Sequence, residues 1–417
     1  MRIEGGRPLT GRVRLPPAKN SVLPLLAASL MCSGESYFTA VPELSDVRQS
    51  VAILRALGCR CQRRGRGLAV QPGEMTHGHL PRDPARAMRS SVFYLAPALH
   101  RFGRVQMPLP GGCQLGPRPI DIHLDGLCKM GAEISWRGDE IELTAPGGLS
   151  GVDFTLRIPS VGATETLMMA AVLARGDTVL RGAAMEPEIA DLAAFLRRCG
   201  AKIVGDGTRV IRVRGVRHLQ GMPHTPIPDR IVAATLASAV ASAGGSAELY
   251  GIEEELIART VQILRRSGCE IQQQGRGLLV ERDGGLNAPG SLVTGSWPGF
   301  PTDAAPVVAA ALLKAAGHTV IEDRVFEKRF ACAEGFQAMG ARAETRGRSI
   351  AIDGVSRLKG AEVRAADLRG GAALIVAALG TEGESRIFGV QHILRGYGSI
   401  ADTLTTLGAG AKLCKQE

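Results

Sequence analysis

One stretch decides the fold: Met130-Gly131-Ala132-Glu133-Ile134-Ser135-Trp136. It has the pattern of a helix end, a glycine in the left-handed position just beyond it, and a strand. The signature occurs six times in 417 residues, with glycines 73, 69, 68, 72 and 68 residues apart. The copies are Leu57-Gly58-Cys59, Met130-Gly131-Ala132, Cys199-Gly200-Ala201, Ser267-Gly268-Cys269, Met339-Gly340-Ala341 and Leu407-Gly408-Ala409. This near-constant period predicts six copies of one structural repeat.

A second set of helices recurs at the same period and is apolar on most faces, which predicts that these helices are buried. They cover Ser21 to Met31, Ser91 to Leu99, Thr164 to Leu173, Ile231 to Ala241, Ala304 to Leu313 and Ala372 to Leu379. A hairpin is predicted after five of the six signatures. Each repeat is therefore a strand, a buried helix, a strand, an exposed helix and two strands. We expect three repeats to pack their buried helices around a common axis in each of two domains.

The domain boundaries are predicted from proline and from the chain ends. The proline-dense segment Gly221 to Pro228 separates the third and fourth repeats and does not fit a helix or a central strand. The sixth repeat ends before its second hairpin strand, whereas Met1 to Glu4 resembles a strand, so the N-terminus is expected to complete that repeat. The expected domains are residues 1–18 with 228–417, and residues 19–227, with crossings that form a two-stranded hinge.

Composition narrows the class of protein. A hydrophobic fraction of 45% is that of a globular protein, and the N-terminus lacks the apolar core of a signal peptide. Nine scattered cysteines predict reduced thiols in a cytoplasmic protein, and Cys59 and Cys61 match no common metal-ligand spacing. The net charge of +10 admits nucleic acid, a membrane surface or an anionic small molecule as a partner.

Polar or charged residues precede every buried helix. They are Lys19-Asn20, Arg89-Ser90, Ser160-Val161-Gly162, Asp229-Arg230, Thr302-Asp303 and Asp367-Leu368-Arg369. A helix N-terminus attracts anions, and a cation there opposes the helix dipole unless an anion is bound. The alternative is that Arg89, Arg230 and Arg369 pair with carboxylates. For the whole set, we expect a cleft that binds a multiply charged, phosphate-bearing small molecule, and neither nucleic acid nor a membrane.

Cys113 lies in the segment Pro108 to Pro119, which has three glycines and four prolines in 12 residues and must be a shaped loop. A loop cysteine between glycines has little core to enter, and nearby arginines would lower its pKa. No Cys-x-x-Cys motif and no protease-like His or Asn accompanies it. The loop therefore favours a general acid or an adduct-forming thiol.

These residues together resemble the family of UDP-N-acetylglucosamine enolpyruvyl transferases, which are EPSP synthase-like 1-carboxyvinyltransferases. The resemblance spans essentially the whole chain. It is carried by Ala18-Lys19-Asn20, Met88-Arg89-Ser90-Ser91, Pro110-Gly111-Gly112-Cys113, Arg118-Pro119-Ile120-Asp121-Ile122-His123, Ser160-Val161-Gly162-Ala163-Thr164, Phe300-Pro301-Thr302-Asp303, Phe326-Glu327-Lys328-Arg329-Phe330, Asp367-Leu368-Arg369 and Arg395-Gly396-Tyr397. The family fold is a two-domain inside-out α/β barrel with three βαβαββ repeats per domain.

The resemblance also implies substrates and roles. The enolpyruvyl group of phosphoenolpyruvate would pass to the 3′-hydroxyl of UDP-N-acetylglucosamine with release of phosphate, without a metal or an organic cofactor, in a protein for which a monomer is favoured. Cys113 would be the acid and adduct-forming thiol, Asp303 the base, and Lys19 a further catalytic residue. Phosphoenolpyruvate would contact Lys19, Asn20, Arg118, Arg329, Arg369 and Arg395. The sugar nucleotide would contact Asn20, Arg89, Arg118, Pro119, Ile120, Asp121, Ile122, Ser160, Val161, Gly162, Asp303 and Val325.

Some residues depart from the family pattern. Val232 stands where many members have Glu, Leu394 and Gly398 replace acidic residues, and Ile158 stands where some members place Lys. These departures keep a weakened paralogue that only binds the sugar nucleotide among the alternatives. EPSP synthase itself is a further alternative, which the Gly-Gly-Cys loop disfavours. A nucleic-acid enzyme related to RNA 3′-phosphate cyclases is disfavoured because the chain has no basic run and few aromatic residues.

Overall fold

A computed structural model describes residues 1–74, 77–109 and 120–414. The described chain divides into two compact domains. Domain 1 comprises residues 17–74, 77–109 and 120–227, and domain 2 comprises residues 1–16 and 228–414. The first crossing lies between Pro16 and Pro17, two residues before the expected boundary, since the Ala18 N–H already donates to the Ile227 carbonyl at 2.8 Å within domain 1.

The chain begins with two strands of domain 2. They are β1 (Arg2–Gly5) and β2 (Leu9–Arg14). After β2 the chain crosses into domain 1 and returns only at Pro228, where the Asp229 N–H donates to the Pro16 carbonyl at 2.8 Å. Domain 2 is therefore built from two separate stretches of sequence.

Domain 1 contains seven described α-helices and one 3-10 helix, Arg89–Tyr94. The helices are α1 (Lys19–Ser29), α2 (Ser45–Ala56), α3 (Arg82–Ala87), α4 (Leu95–Phe102), α5 (Asp121–Lys129), α6 (Val161–Val172) and α7 (Pro187–Arg198). The strands are β3 (Cys32–Ser33), β4 (Ser36–Phe38), β5 (Cys59–Arg64), β6 (Gly67–Pro72), β7 (Arg104–Pro108), β8 (Glu133–Arg137), β9 (Glu140–Thr144), β10 (Asp153–Thr155), β11 (Asp177–Arg181), β12 (Lys202–Val204), β13 (Val210–Arg214), β14 (Leu219–Gln220) and β15 (Pro223–His224).

The rest of domain 2 adds seven α-helices, with short 3-10 helices at Glu254–Ile257 and Leu312–Lys314. The helices are α8 (Arg230–Ala243), α9 (Ala258–Arg266), α10 (Ala305–Ala311), α11 (Ala333–Ala338), α12 (Leu368–Leu379), α13 (Val390–Ile393) and α14 (Ile400–Thr406). The strands are β16 (Gly245–Tyr250), β17 (Glu270–Gln274), β18 (Gly277–Arg282), β19 (Ser291–Val293), β20 (His318–Glu322), β21 (Arg342–Arg346), β22 (Ser349–Asp353), β23 (Glu362–Arg364), β24 (Gly383–Phe388) and β25 (Gly410–Lys412).

The three sheets of domain 2 share one topology. Their strand orders are β17-β18-β16-β2, β21-β22-β20-β19 and β25-β1-β24-β23. In each sheet the last two strands are parallel and the other neighbours are antiparallel. Strand β1 takes the central place that β18 and β22 occupy in the other sheets. The predicted βαβαββ repeat is confirmed, and sheets β5-β6-β4-β15 and β12-β13-β11-β10 repeat this order in domain 1.

The helix patterns explain the interior of each domain. Helices α8, α10 and α12 pack against one another in domain 2, and the 3-10 helix Arg89–Tyr94 packs against α1 and α6 in domain 1. The second buried helix was predicted as one α-helix. It begins instead as this 3-10 helix, because Pro97 has no N–H to bond the turn before it.

The six signature glycines all lie just past a helix end. Their φ angles lie between 87° and 109°, as the left-handed position requires, so this prediction is confirmed.

Each domain has its own hydrophobic core. Within the described ranges, no helix combines the length and the apolar character that a membrane crossing needs. Nor do three His, Cys, Asp or Glu side chains of those ranges gather into a metal-binding group.

Candidate active site

Asp303 lies in the turn just before α10 and joins two arginines of domain 2. Its Oδ1 accepts a hydrogen bond from Arg329 Nη2 at 3.3 Å, and its Oδ2 accepts one from Arg369 Nη2 at 3.2 Å. Arg329 lies in the segment between β20 and α11, and Arg369 lies in the first turn of α12. The arginine side chains are 1% and 8% exposed, whereas the Asp303 side chain is 29% exposed. A partly open carboxylate is thus held by two buried cations.

The charges around Asp303 fix its ionisation. Burial raises the pKa of Asp303, but the positive charges of Arg369, Arg329 and Arg230 outweigh burial and hold that pKa well below its usual range. Burial lowers the pKa of Arg369, and the charge of Asp303 more than reverses this effect. The carboxylate and the guanidinium are therefore both charged at neutral pH.

A second carboxylate, the fully buried Asp323, also holds Arg329 in place. The Nε of Arg329 donates to Thr302 Oγ1 at 2.9 Å, and Thr302 donates to Asp323 Oδ2 at 2.5 Å. The Phe326 ring centroid lies 4.3 Å from the guanidinium. The Nη1 of Arg329 is buried and has no hydrogen-bond partner among the described residues. A buried cation with an unused donor is a suitable binding group for an anion.

The other predicted residues of domain 2 occupy different settings. Val325 is 46% exposed, and its backbone N–H donates to Asp323 Oδ1 at 2.9 Å. Arg395 is half-buried in the turn that follows α13. Asp229 and Asp367 cap the N-termini of α8 and α12 through their side chains. Arg369, for which carboxylate pairing was the alternative, pairs with Asp303.

Lys19 and Asn20 are the first residues of α1 in domain 1. The Lys19 Nζ lies 3.1 Å from Asp46 Oδ2, in the first turn of α2, and the two side chains are 12% and 6% exposed. Asn20 is half-buried beside Lys19. The lysine is thus a nearly buried cation at a helix N-terminus, as an anion-binding role requires.

His123 lies near the charge of Arg89 and beside the start of α6. Burial and the charge of Arg89 lower the pKa of His123 to about 4, so the ring is neutral at pH 7. The His123 Nε2 would lie only 3.0 Å from a Cβ placed on Gly162, so a side chain at this position would fit only if the ring moved slightly. Ser160 caps α6, because its Oγ accepts a bond from the Ala163 N–H at 3.3 Å. Val161 and Gly162 follow it as the first residues of the helix.

Ile120 immediately precedes α5, and Asp121 and Ile122 are the first two residues of that helix. Asp121 pairs with Arg157, which outweighs slight burial and lowers the pKa of this carboxyl. Ile122, Phe154 and Arg157 line an open cavity of about 500 Å³. The lining combines apolar side chains with two cations, Lys129 and Arg157, and is suited to a flat, polar ring system that carries negative charge.

Three predicted residues, Cys113, Arg118 and Pro119, lie outside the described residues. Sequence reasoning missed Asp46, Arg157, Tyr397 and His123 as partners of the predicted site residues. Tyr397 and His123 belong to the motifs quoted above, so the sequence could have indicated them. No pattern in the sequence singled out Asp46 or Arg157.

Residues 3–404 match the family model of EPSP synthase (3-phosphoshikimate 1-carboxyvinyltransferase). The chain is 43% identical to UDP-N-acetylglucosamine 1-carboxyvinyltransferase 1 of Symbiobacterium thermophilum, over 98% of this chain and 93% of that protein. It is 42% identical to UDP-N-acetylglucosamine 1-carboxyvinyltransferase 2 of Carboxydothermus hydrogenoformans, over 98% and 97% of the two chains.

Solved structures show the same fold at lower identity. The enolpyruvyl transferase NikO from Streptomyces tendae superposes with a TM-score of 0.89 at 23% identity, over 99% of this chain and 98% of that one. EPSP synthase from Acinetobacter baumannii superposes with a TM-score of 0.73 at 19% identity, over 97% of both chains. The two-domain arrangement of βαβαββ repeats is thus a known architecture.

Proposed function

The chain belongs to the EPSP synthase family, and from that premise we propose that it transfers the enolpyruvyl group of phosphoenolpyruvate to the 3′-hydroxyl of UDP-N-acetylglucosamine and releases phosphate. The observation that carries this proposal is the identity of 42–43%, over nearly the full length of both chains, to proteins named for that transfer. EPSP synthase from Acinetobacter baumannii shares the fold, but at only 19% identity.

The proposed chemistry is an addition followed by an elimination. A proton adds to the CH2 carbon of phosphoenolpyruvate while the sugar 3′-oxygen bonds to the neighbouring carbon and gives up its own proton. The tetrahedral intermediate then loses phosphate and one methyl proton, which restores the double bond. Cys113 is the proposed acid, and Asp303 is the proposed base on the other reactant.

The ionised state of Asp303 supports its proposed role. A carboxylate with a low pKa is always ready to accept a proton, but it holds that proton weakly. When the phosphate and carboxylate of phosphoenolpyruvate share the charges of Arg329 and Arg369, the proton affinity of Asp303 rises. Substrate binding would thus strengthen the base when the base is needed.

The cations would hold phosphoenolpyruvate. We assign this role to Lys19, Arg118, Arg329, Arg369 and Arg395, with Asn20 beside them. The buried Nη1 of Arg329, from which no described residue accepts a hydrogen bond, and the nearly buried Nζ of Lys19 support the assignment. Fixed cations stabilise the charge that develops in the intermediate, without metal or cofactor.

The sugar nucleotide would contact a second set of residues. We assign to it Arg89, Arg118, Pro119, Ile120, Asp121, Ile122, Ser160, Val161, Gly162 and Val325, together with Asn20 and Asp303. The cavity beside Ile122 supports this assignment in domain 1. We place the reaction in the cytoplasm, at the first committed step of peptidoglycan synthesis.

Phosphate release tests the proposal. The purified protein receives phosphoenolpyruvate with UDP-N-acetylglucosamine, phosphoenolpyruvate with shikimate 3-phosphate, or each compound alone. We expect release only with the first pair. Release with shikimate 3-phosphate instead would identify an EPSP synthase. Binding of the sugar nucleotide without release would identify a weakened paralogue, for which Val232, Leu394 and Gly398 are the motivation.

A further inference from the structure

Tyr397 connects the guanidinium of Arg369 to another core helix of domain 2. Its hydroxyl lies 3.2 Å from Arg369 Nη1 and 2.8 Å from Thr235 Oγ1. Thr235 lies in α8, and its Oγ1 is also 2.8 Å from the Ile231 carbonyl. The residues Arg369, Tyr397 and Thr235 are all buried, at 7%, 4% and 2% exposure. Arg369 is therefore held on one side by Asp303 and on the other by this chain.

The chemistry of the four groups fixes the direction of every hydrogen bond. A guanidinium only donates, so the Tyr397 oxygen accepts from Arg369. A carbonyl only accepts, so the Thr235 hydroxyl donates its single proton to Ile231. The Tyr397 proton can then go only to Thr235 Oγ1. The chain runs in one sense, from Arg369 to Tyr397, to Thr235 and to the α8 backbone.

These hydrogen bonds connect the N-terminal ends of the three core helices. Asp303 precedes α10, Arg369 begins α12, and Thr235 lies in the second turn of α8. A flexible arginine that must face both a carboxylate and a substrate anion gains from a fixed second attachment, because less rotamer freedom is then lost on binding.

We propose that Tyr397, through Thr235, is a positioning residue that fixes the guanidinium of Arg369 against Asp303. The consequence for turnover rests on the proposed function. The effect on Asp303 does not, because it follows from the distance between two charges. Loosening Arg369 weakens the attraction that keeps Asp303 ionised, and Arg329 and Arg230 are the other cations that act on this carboxylate. Arg369 itself faces Asp303, Tyr397 and Asp229.

The test compares the wild type with Tyr397→Phe, Thr235→Val and Thr235→Ser. The first two variants remove a hydroxyl from this series of hydrogen bonds, whereas Thr235→Ser keeps the hydroxyl. We expect kcat/KM for phosphoenolpyruvate to fall by about tenfold to a hundredfold in the first two variants. In Thr235→Ser it should stay near the wild-type value. The acid limb of the pH profile should move to higher pH in the same two variants.

Tyr94→Phe is the matched control for the loss of a buried tyrosine hydroxyl. The Tyr94 hydroxyl lies 2.6 Å from Ser50 Oγ in the core of domain 1, and the residue is 1% exposed. We expect this variant to lower Tm without moving the pH profile. An unchanged profile in Tyr397→Phe, or an equal shift in Tyr94→Phe, would overturn the proposal.

A second measurement does not depend on turnover. The carboxyl carbon of Asp303 is titrated by NMR after selective 13C labelling, with Asp303→Asn to assign the signal. We expect the pKa of Asp303 to rise in Tyr397→Phe and not in Tyr94→Phe. If the wild type releases no phosphate but this shift is seen, the proposed function fails and the positioning role stands. If phosphate is released but neither the profile nor the carboxyl signal shifts, the positioning role fails alone.

Discussion

At the scale of single residues, Asp303 combines partial exposure with contacts to buried cations. It is open enough to meet a substrate, and it is held by two arginines that are almost completely buried. Removing its charge therefore changes both chemistry and stability.

We predict that Asp303→Asn lowers kcat by about a hundredfold to ten-thousandfold, since a general base contributes on that scale. The free energy of unfolding should fall by roughly 1–3 kcal/mol, because charge-assisted bonds to Arg329 and Arg369 are weakened. Steady-state kinetics and urea unfolding measure the two effects. Asp353→Asn is the control, since the Asp353 side chain is 64% exposed and pairs with the exposed His318. A kcat within a few-fold of the wild type would exclude Asp303 as the base.

We predict that a fosfomycin-type epoxide alkylates Cys113, because the arginines expected near this thiol would lower its pKa and so favour the reactive thiolate. Intact-mass spectrometry should show one adduct on the wild type and none on Cys113→Ala, which should also turn over far more slowly. Cys128 and Cys414 are exposed and serve as internal controls for unselective labelling. An adduct that persists in Cys113→Ala would place the reactive thiol elsewhere.

Residue contacts also show where sequence reasoning stops. The motifs around Asp303, Arg329 and Arg369 predicted a role for these residues, and the structure brings their three side chains together. The bond between Tyr397 and Thr235 joins positions 162 residues apart, and that between Lys19 and Asp46 joins positions 27 apart. Such pairs depend on helix packing, which no local pattern encodes.

At the scale of elements, the helix patterns were informative because the buried helices are apolar on most faces. Five of the six predicted buried helices are α-helices whose bounds differ from the prediction by a few residues. The remaining one, the second along the chain, is a 3-10 helix followed by α4, because Pro97 cannot donate the hydrogen bond that a continuous α-helix needs there. Helix α6 departs from the apolar pattern at one more position, because the charged residue type Glu165 is buried there, at 1% exposure.

We predict that Glu165→Gln makes the protein less sensitive to alkaline pH. Burial, together with Glu188 and Glu186, raises the pKa of Glu165 well above 4.5, the value of a free side chain. Folding therefore favours the protonated form. The associated stability is complete below pH 4.5 and is lost as pH rises toward the folded-state pKa, by up to ~1.4 kcal/mol per pH unit.

Thermal unfolding between pH 5 and pH 9 tests this prediction. The slope of stability against pH should be shallower in Glu165→Gln than in the wild type. Glu133→Gln is the control, because Glu133 is exposed at the start of β8 and should leave the slope unchanged. Parallel curves for the wild type and Glu165→Gln would show that Glu165 does not change its protonation on folding.

At the scale of the whole molecule, domain 1 is inserted into domain 2. The two ends of domain 2 meet where the Asp229 N–H bonds the Pro16 carbonyl, at 2.8 Å. We predict that residues 1–16 joined to 228–417 by a short Gly-Ser linker fold with a cooperative thermal transition, because every sheet of domain 2 is complete in that chain.

Circular dichroism during heating measures the transition of the shortened chain. Ile3→Asp in the same chain is the control, since Ile3 is fully buried in β1 and a charge there should abolish folding. A shortened chain that melts without cooperativity, as the Ile3→Asp control should, would mean that domain 2 depends on domain 1.

The pairing of β1 with β24 and β25 also determines when, during synthesis, this sheet can form. Arg2 pairs with Arg386 and with Lys412, so this strand is made long before its partners. At a ribosomal rate of about 5–20 residues per second, this strand waits for roughly 20–80 s, while the contiguous domain 1 is completed before it. Arg2 and Glu4 flank the apolar Ile3 and are exposed in the finished sheet. Their charges protect the waiting strand from pairing with another nascent chain.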